Sequence, residues 1–300
     1  MSETYRIFGL NVLSEIDLPA RCAAGVEGAS PPDVIIEYGE APAQLSRPQK
    51  KTGWYEAGPG EFLLCIDAIA RYYVHGGRRI VIAPVPGVEK EKILIFLMGS
   101  AMGALLHQRG VLVLHAGAVA ANNHAVIFPG PSGAGKSTLA AGLHQRGFAF
   151  LADDVCAVTL EGGAPAVIPG FPRLKLWEDV LSRLGKDKDQ LKKVVWTRNL
   201  EKYFMPVNHE HDLPVPLKTV FALETSDAKH IVVCELKGAA KIDPLIGNTY
   251  RLGFLEGLGG KKEHFRQCAK LAAQTAVYRV LRPREKFLLD ELMDVLEAEF

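Results

Sequence analysis

Two short stretches of this sequence carry chemistry by residue type and spacing: GPSGAGKST, from Gly130 to Thr138, and the pair Asp153-Asp154, which begins seventeen positions after Lys136. The first meets the pattern G-x-x-x-x-G-K-[ST] at every fixed position. In such a loop the backbone of Gly130, Pro131, Ser132, Gly133, Ala134 and Gly135 forms a cradle whose N–H groups meet phosphate oxygens, and the glycines keep side chains clear of it. Lys136 reaches the β- and γ-phosphates as a mobile point charge, and Ser137 offers an oxygen to Mg²⁺. Thr138 follows in the first turn of a helix whose positive end faces the anion. An apolar strand before the loop and a helix closed by Gly147 give it the context a phosphate loop needs. A nucleoside triphosphate with Mg²⁺ is the implied ligand.

The two aspartates close the apolar run Phe148–Ala152. A helix of about eleven residues climbs about 16 Å, and a strand of about five residues returns about 17 Å. Asp153 and Asp154 therefore lie level with the loop, at the carboxyl edge of a sheet where α/β ligand sites form. Side chains alternate along a strand, which points one carboxylate at the phosphates and the other away. Past the strand end the alternation relaxes and both can turn inward. Two roles, or one metal-binding Asp beside a turn Asp, are both open at this point.

His115 ends the run VLVLH, in a segment expected to pair beside the strand that enters the loop. A histidine there either serves the buried strand or orients an aspartate and tunes its proton affinity. Arg251 in NTYRLG follows a turn and reads either as a surface ion-pair partner or as an arginine finger on a transferring phosphate. Arg173 in FPRLKLW and Lys202 beside Tyr203 carry the same two readings. Between Gly185 and Lys202, the cations Lys186, Lys188, Lys192, Lys193, Arg198 and Lys202 face Asp187, Asp189 and Glu201. That composition suits a solvated helix face or loop, or a basic lid over phosphates or an acidic peptide.

The elements that must position these residues follow from periodicity. Residues 1–90 read as short strands broken by turns, among them DVIIEY, EFLLCI, RYYVH and RRIVIA, in a small mostly-β module. From Val88 to Gly110 the pattern is helical, and Asn122-Asn123 marks a tight hairpin leading into the loop's entry strand. A βαβ unit from His124 to Ala152 follows. Further on come strands at TVFALE and HIVVCEL, a helix near Lys262–Thr275, a strand VYRVL, and a terminal helix burying Phe287, Leu288, Leu292, Val295 and Leu296. The expected organisation is an N-terminal module over 1–90 and an α/β phosphate-loop domain over 91–300.

Composition excludes several classes. A formal net charge of +1 gives no field for nucleic acid or an anionic membrane. The apolar run Ile93–Leu106 is too short to span a bilayer comfortably. The start MSETYRIFGL has no signal-peptide pattern. Five scattered cysteines with no CxxC pair fit buried reduced thiols and a cytoplasmic setting.

A His-bearing hairpin, a G-x-S-G-x-G-K-S-T loop, a short helix and a strand closing in Ala-Asp-Asp together resemble the catalytic domain of HPr serine kinase/phosphorylase, a fold related to the ATP-dependent phosphoenolpyruvate carboxykinases. The likeness covers about Val111 to Val158 well and the rest loosely. PGFPRLKLWEDV (Pro169–Val180) is similar to the region after the family's second strand. PRLKLW and EKYF look most like the HPr-kinase-like enzymes of lasso-peptide pathways, which phosphorylate a serine near the C-terminus of a precursor peptide. The resemblance implies ATP and Mg²⁺, a homo-oligomer as a compatible assembly, and His115 with Asp153 as the acid/base pair on an acceptor hydroxyl. It further implies Asp154 beside Ser137 around the metal and Lys136 on the phosphates. The leading expectation is an ATP-dependent kinase acting on a Ser hydroxyl of a peptide or small protein. A small-molecule kinase, for example on free serine, and an ATPase with water as acceptor stand as alternatives. The short interval from Lys136 to Asp153 and the lack of an LSGGQ signature argue against transporter ATPases.

Overall fold

The computed structural model describes residues 2–20, 22, 31–194, 202–208, 211–227, 229–284 and 288–300. Arg198, Glu201 and Phe287, singled out above, lie outside them. The chain is a mixed α/β protein with several sheets and divides into two compact units.

The first unit comprises Met1–Val113 and Arg251–Phe265. Among the described residues it holds an eight-stranded sheet, in the spatial order Glu3–Ile7, Leu10–Ser14, Val34–Tyr38, Arg79–Pro84, Ala70–His75, Glu61–Ile66, Tyr55–Gly58 and Lys50–Lys51. The four strands read from alternation fall where expected because β-branched and aromatic residues fill their inward faces, such as Ile36, Phe62, Tyr72, Val74, Ile80 and Ile82. The helical segment after them is α-helical over Lys90–Phe96, a π turn over Leu97–Ala101, and α-helical again over Met102–Gln108. The π turn rotates the apolar stripe, so that Leu97, Met98, Ala101 and Met102 are all buried. By its packing this segment belongs to the first unit, which runs beyond the expected division at residue 90 to Val113.

The helix Leu252–Leu258 closes that unit. Phe254 packs into Tyr55 and Phe62, at ring-centroid distances of 4.8 and 4.4 Å. Gly257 allows the approach: a Cβ there would stand 2.4 Å from the Ala57 Cβ and 2.7 Å from its carbonyl oxygen. Gly257→Ala is accordingly expected to destabilise the first unit by about 1–3 kcal/mol, by overpacking. Urea denaturation checks this, and an unchanged midpoint would show that the contact relaxes freely.

The second unit comprises Leu114–Tyr250 and Arg266–Phe300. Its central sheet runs Ala149–Ala152, Ala116–Ala121, His124–Pro129 and Val215–Ser226, the last also pairing in parallel with Ala276–Pro283. The hairpin Ala116–Ala121/His124–Pro129 turns on Asn122 and Asn123, at φ 50° and 63°. Both angles are left-handed, as a two-residue hairpin requires. Ala149–Ala152 lies antiparallel to Ala116–Ala121, hence parallel in direction to the entry strand, with the hairpin partner between them. Among the described residues a three-stranded antiparallel sheet, ordered Arg173–Trp177, Lys202–Pro206 and Lys192–Val194, stands beside this core. Lys192 and Lys193 thus sit on a strand rather than on a helix face or loop.

The loop helix Lys136–Gln145 and the terminal helix Leu289–Glu297 pack in the same core as Phe128, Phe150, Leu174, Leu176 and Phe221. Gly142 makes this close: a Cβ would meet the Met293 Sδ at 2.8 Å. Arg146 binds Asp294 and Glu297 across the two helices, each at 2.6 Å. Val295, expected inside, is exposed, and Met293 takes the buried position, because the helix faces its partner along Leu292, Met293 and Leu296. All five cysteines are free; Cys156 and Cys268 are buried, but Cys22 and Cys234 are exposed, which corrects the reading of the set as buried thiols. Among the described residues no helix is long and apolar enough to cross a membrane.

Candidate active site

The entry strand ends at Pro129, and the loop begins where the backbone passes closest to its parallel neighbour: a Cβ on Gly130 would stand 2.8 Å from the Leu223 carbonyl oxygen. Gly133 and Gly135 adopt φ 83° and 94°, and Gly135 is the residue before the loop helix. These left-handed angles suit glycine. Ser132, Gly133, Ala134, Gly135, Lys136, Ser137 and Thr138 line one side of a cleft. The Lys136 Nζ donates to the carbonyl oxygens of Gly130 and Pro131, at 2.8 and 2.9 Å. Burial lowers its pKa, and the charges of Asp154 and Asp153 oppose that shift. A buried ammonium held, among the described residues, by two carbonyls is well placed to exchange them for phosphate oxygens.

The cleft is also lined by Asp154 of the Asp-Asp turn and by Lys175 and Trp177 of the strand Arg173–Trp177. Asp154 has φ 65°, a left-handed turn that takes it out of strand alternation. As a result both carboxylates face residues of the site, in different company. Asp153 accepts from the Ser137 hydroxyl at 2.7 Å and from the Lys175 backbone N–H at 3.0 Å. Asp154 accepts from the Lys175 Nζ at 2.8 Å, and its other oxygen lies 3.4 Å from the His115 Nε2. Asp154 and His115 line the cleft with the loop residues. These pairings differ from those the resemblance implies, which set Asp153 with His115 and Asp154 with Ser137.

The two acids are pushed apart in affinity for protons. Burial and the neighbouring charge of Asp154 raise the Asp153 pKa to about 6, against the hydrogen bonds from Lys175 and Ser137. Burial works the same way on Asp154, but Lys175 and His115 outweigh it and hold that carboxyl well below its ordinary value. Burial likewise works against the charge of Lys175, and Asp154 overrides it, so the lysine pKa is raised. Two close carboxylates cannot both ionise freely, and the lysine decides which one does.

Three further cations belong here. Arg282 donates to the carbonyl oxygens of Ala134 at 2.7 Å and Gly133 at 2.9 Å, bracing the loop, and lines the cleft with it. Lys202 lies over the Trp177 ring, 4.5 Å from its centroid, and both line the cleft. Arg173 lies over the Phe204 ring at 4.0 Å. Lys175 and Arg282 went unmarked in the sequence. The alternation in RLKLW puts Lys175 on the same strand face as Arg173, a signal that was present; nothing local distinguishes Arg282. Arg251 is placed in the first unit at φ 50°, its guanidinium 5.0 Å from the centre of the Trp54 ring.

The Mg²⁺ implied by the loop has a fitting donor set in the Ser137 hydroxyl and the Asp153 carboxylate, two hard oxygens in contact beside the loop. Among the described residues there is no cluster of three or more His, Cys, Asp and Glu side chains able to hold a metal.

No protein-family model matches the chain, and no curated protein matches it. Among solved structures, the chain is similar to the HPr(Ser) kinase/phosphatase from Coxiella burnetii, at 11% identity and a TM-score of 0.30, over 62% of this chain and 89% of that one.

Proposed function

We propose that the protein is an ATP-dependent kinase that transfers the γ-phosphate to a serine hydroxyl of a peptide or small protein. The observation that carries this reading is the sharing of one cleft by the phosphate loop and by Asp154 with His115. A carboxylate facing the transferred phosphate suits a hydroxyl acceptor. The similarity of PRLKLW and EKYF to the lasso-pathway kinases supports a lasso-peptide precursor as the peptide.

In this reading Lys136 and Lys202 hold the triphosphate, with the loop N–H groups and the loop-helix N-terminus. Ser137 and Asp153 would hold Mg²⁺, which offsets negative charge on the phosphates when bound. The acceptor oxygen forms its bond to the γ-phosphorus as the bond to the bridging oxygen breaks and ADP leaves. The hydroxyl proton passes to Asp154, with His115 orienting that carboxylate. A strong base is not required, because in a loose phosphoryl-transfer step the proton leaves late. Lys175 keeps Asp154 anionic and so ready to accept.

Incubation with γ-labelled ATP and serine peptides tests the proposal: label is expected on the peptide and absent when Ala replaces the Ser. Label found only as inorganic phosphate with every acceptor would instead mark an ATPase, and turnover of free serine without peptide a small-molecule kinase. A second expectation concerns pH. Asp154 acts as its anion, so the acid limb that it contributes to kcat/KM lies below the ordinary carboxylate range, apart from any limb due to Asp153. Removing the lysine charge in Lys175→Met raises the Asp154 pKa and moves its limb of the profile upward. An acid limb that stays in place would separate Asp154 from proton transfer.

A further inference from the structure

We propose that Arg173 reads the acceptor, binding an oxyanion that the acceptor carries next to the hydroxyl to be phosphorylated. The inference rests on the kinase reading above and gives its substrate a chemical class. Along Arg173–Trp177, Leu174 and Leu176 are buried in the core, so Arg173, Lys175 and Trp177 share the other face. Lys175 on that face touches Asp154. Across the strand pair, Pro206, Phe204 and Lys202 stand opposite Arg173, Lys175 and Trp177, which makes a ladder of cations and aromatic rings.

Arg173 differs from the other cations of the ladder and the loop. Lys136 and Arg282 donate to loop carbonyls, Lys175 to Asp154, and Lys202 lines the cleft beside the loop lysine. The Arg173 guanidinium has ring faces only, Phe204 at 4.0 Å and Phe171 at 6.0 Å, and no hydrogen-bonded or ion-paired acceptor among the described residues. Burial works against its charge, and Asp154 and Asp153 support that charge from a distance. A half-buried fork of N–H donors with no acceptor among the described residues is half of an ion pair, and its planar geometry matches a carboxylate or phosphate. Residues two apart on a strand are separated by about 6.6 Å. Lys175, two residues on, holds Asp154, so the proposal places the oxyanion on the acceptor residue itself or on one adjoining it.

The test uses the full chain and three peptides of one sequence: one ending in serine with a free carboxylate, one with that terminus amidated, and one amidated with phosphoserine beside the serine. The native protein is expected to favour the free acid or the phosphoserine peptide over the plain amide by about 10–100-fold in kcat/KM. Preference for the acid assigns the oxyanion as carboxylate, and preference for the phosphoserine peptide assigns it as phosphate. Arg173→Met is expected to bring the preference to about unity, and Arg173→Lys to restore part of it. A residue that only braces Phe204 would change rates for all three peptides alike. Equal use of the three by the native protein overturns the proposal even if the variants fail to fold, as does a preference unchanged in Arg173→Met. The same peptides with Ala for Ser, titrated by calorimetry, separate this from the kinase reading. A binding preference lost in Arg173→Met but without transfer to any serine peptide would sustain Arg173 and reject the kinase.

Discussion

Asp154→Asn is expected to lower kcat by about 10²–10⁴-fold while ATP binding stays within a few-fold of the native value. The residue lines the cleft beside His115, while the loop serine bonds to Asp153, so in the proposed mechanism its loss removes the proton acceptor and leaves the loop in place. Asp153→Asn is expected to act differently. That carboxylate is bonded to Ser137, so the amide should raise the Mg²⁺ concentration needed for half-maximal rate, with a smaller loss of kcat once Mg²⁺ saturates. Single-turnover transfer from γ-labelled ATP, combined with nucleotide binding measured by fluorescence, separates the two. The opposite pattern, with transfer collapsing in Asp153→Asn at saturating Mg²⁺ and surviving in Asp154→Asn, would restore the division that the resemblance implies.

Lys136→Met is expected to cost about 10³-fold in kcat/KM or more, with ATP affinity reduced as well. The ammonium rests against carbonyls of the loop that would cradle the phosphates, and it is buried, so little water screens it. The fold should survive the change. Burial already works against the lysine charge, and an unbranched apolar side chain of similar length removes that cost. Thermal melting should therefore show an unchanged or higher midpoint while calorimetry shows weaker ATP binding. Transfer retained within tenfold would reject the phosphate-loop reading.

How much of this was legible in the sequence differs from part to part. The conformation of the Gly130–Thr138 loop was, because it lies in contiguous backbone: glycines at fixed positions before a helix start need no distant partner, and Gly133 and Gly135 take left-handed angles there. The hairpin was legible for the same reason, since Asn122-Asn123 states its own backbone geometry. So were the strands of the first unit, where alternation records which side is buried. The position of Asp153-Asp154 level with the loop followed from element lengths alone.

The tertiary structure decided the partners. Which carboxylate meets Ser137 and which meets His115 depends on one left-handed residue at the strand end, a backbone choice that asparagine and aspartate tolerate but do not dictate. Lys175 and Arg282 reach the site from strands far along the chain, and only the sheet order brings them there. Arg173 was visible as a charge, yet its lack of an acceptor is a property of the neighbours that surround it. Sequence determined the local conformations of the loop and the hairpin; long-range packing determined which acid is pushed towards its neutral form and which is held as its anion, because proton affinity is set by burial and by charges that chain order does not place side by side.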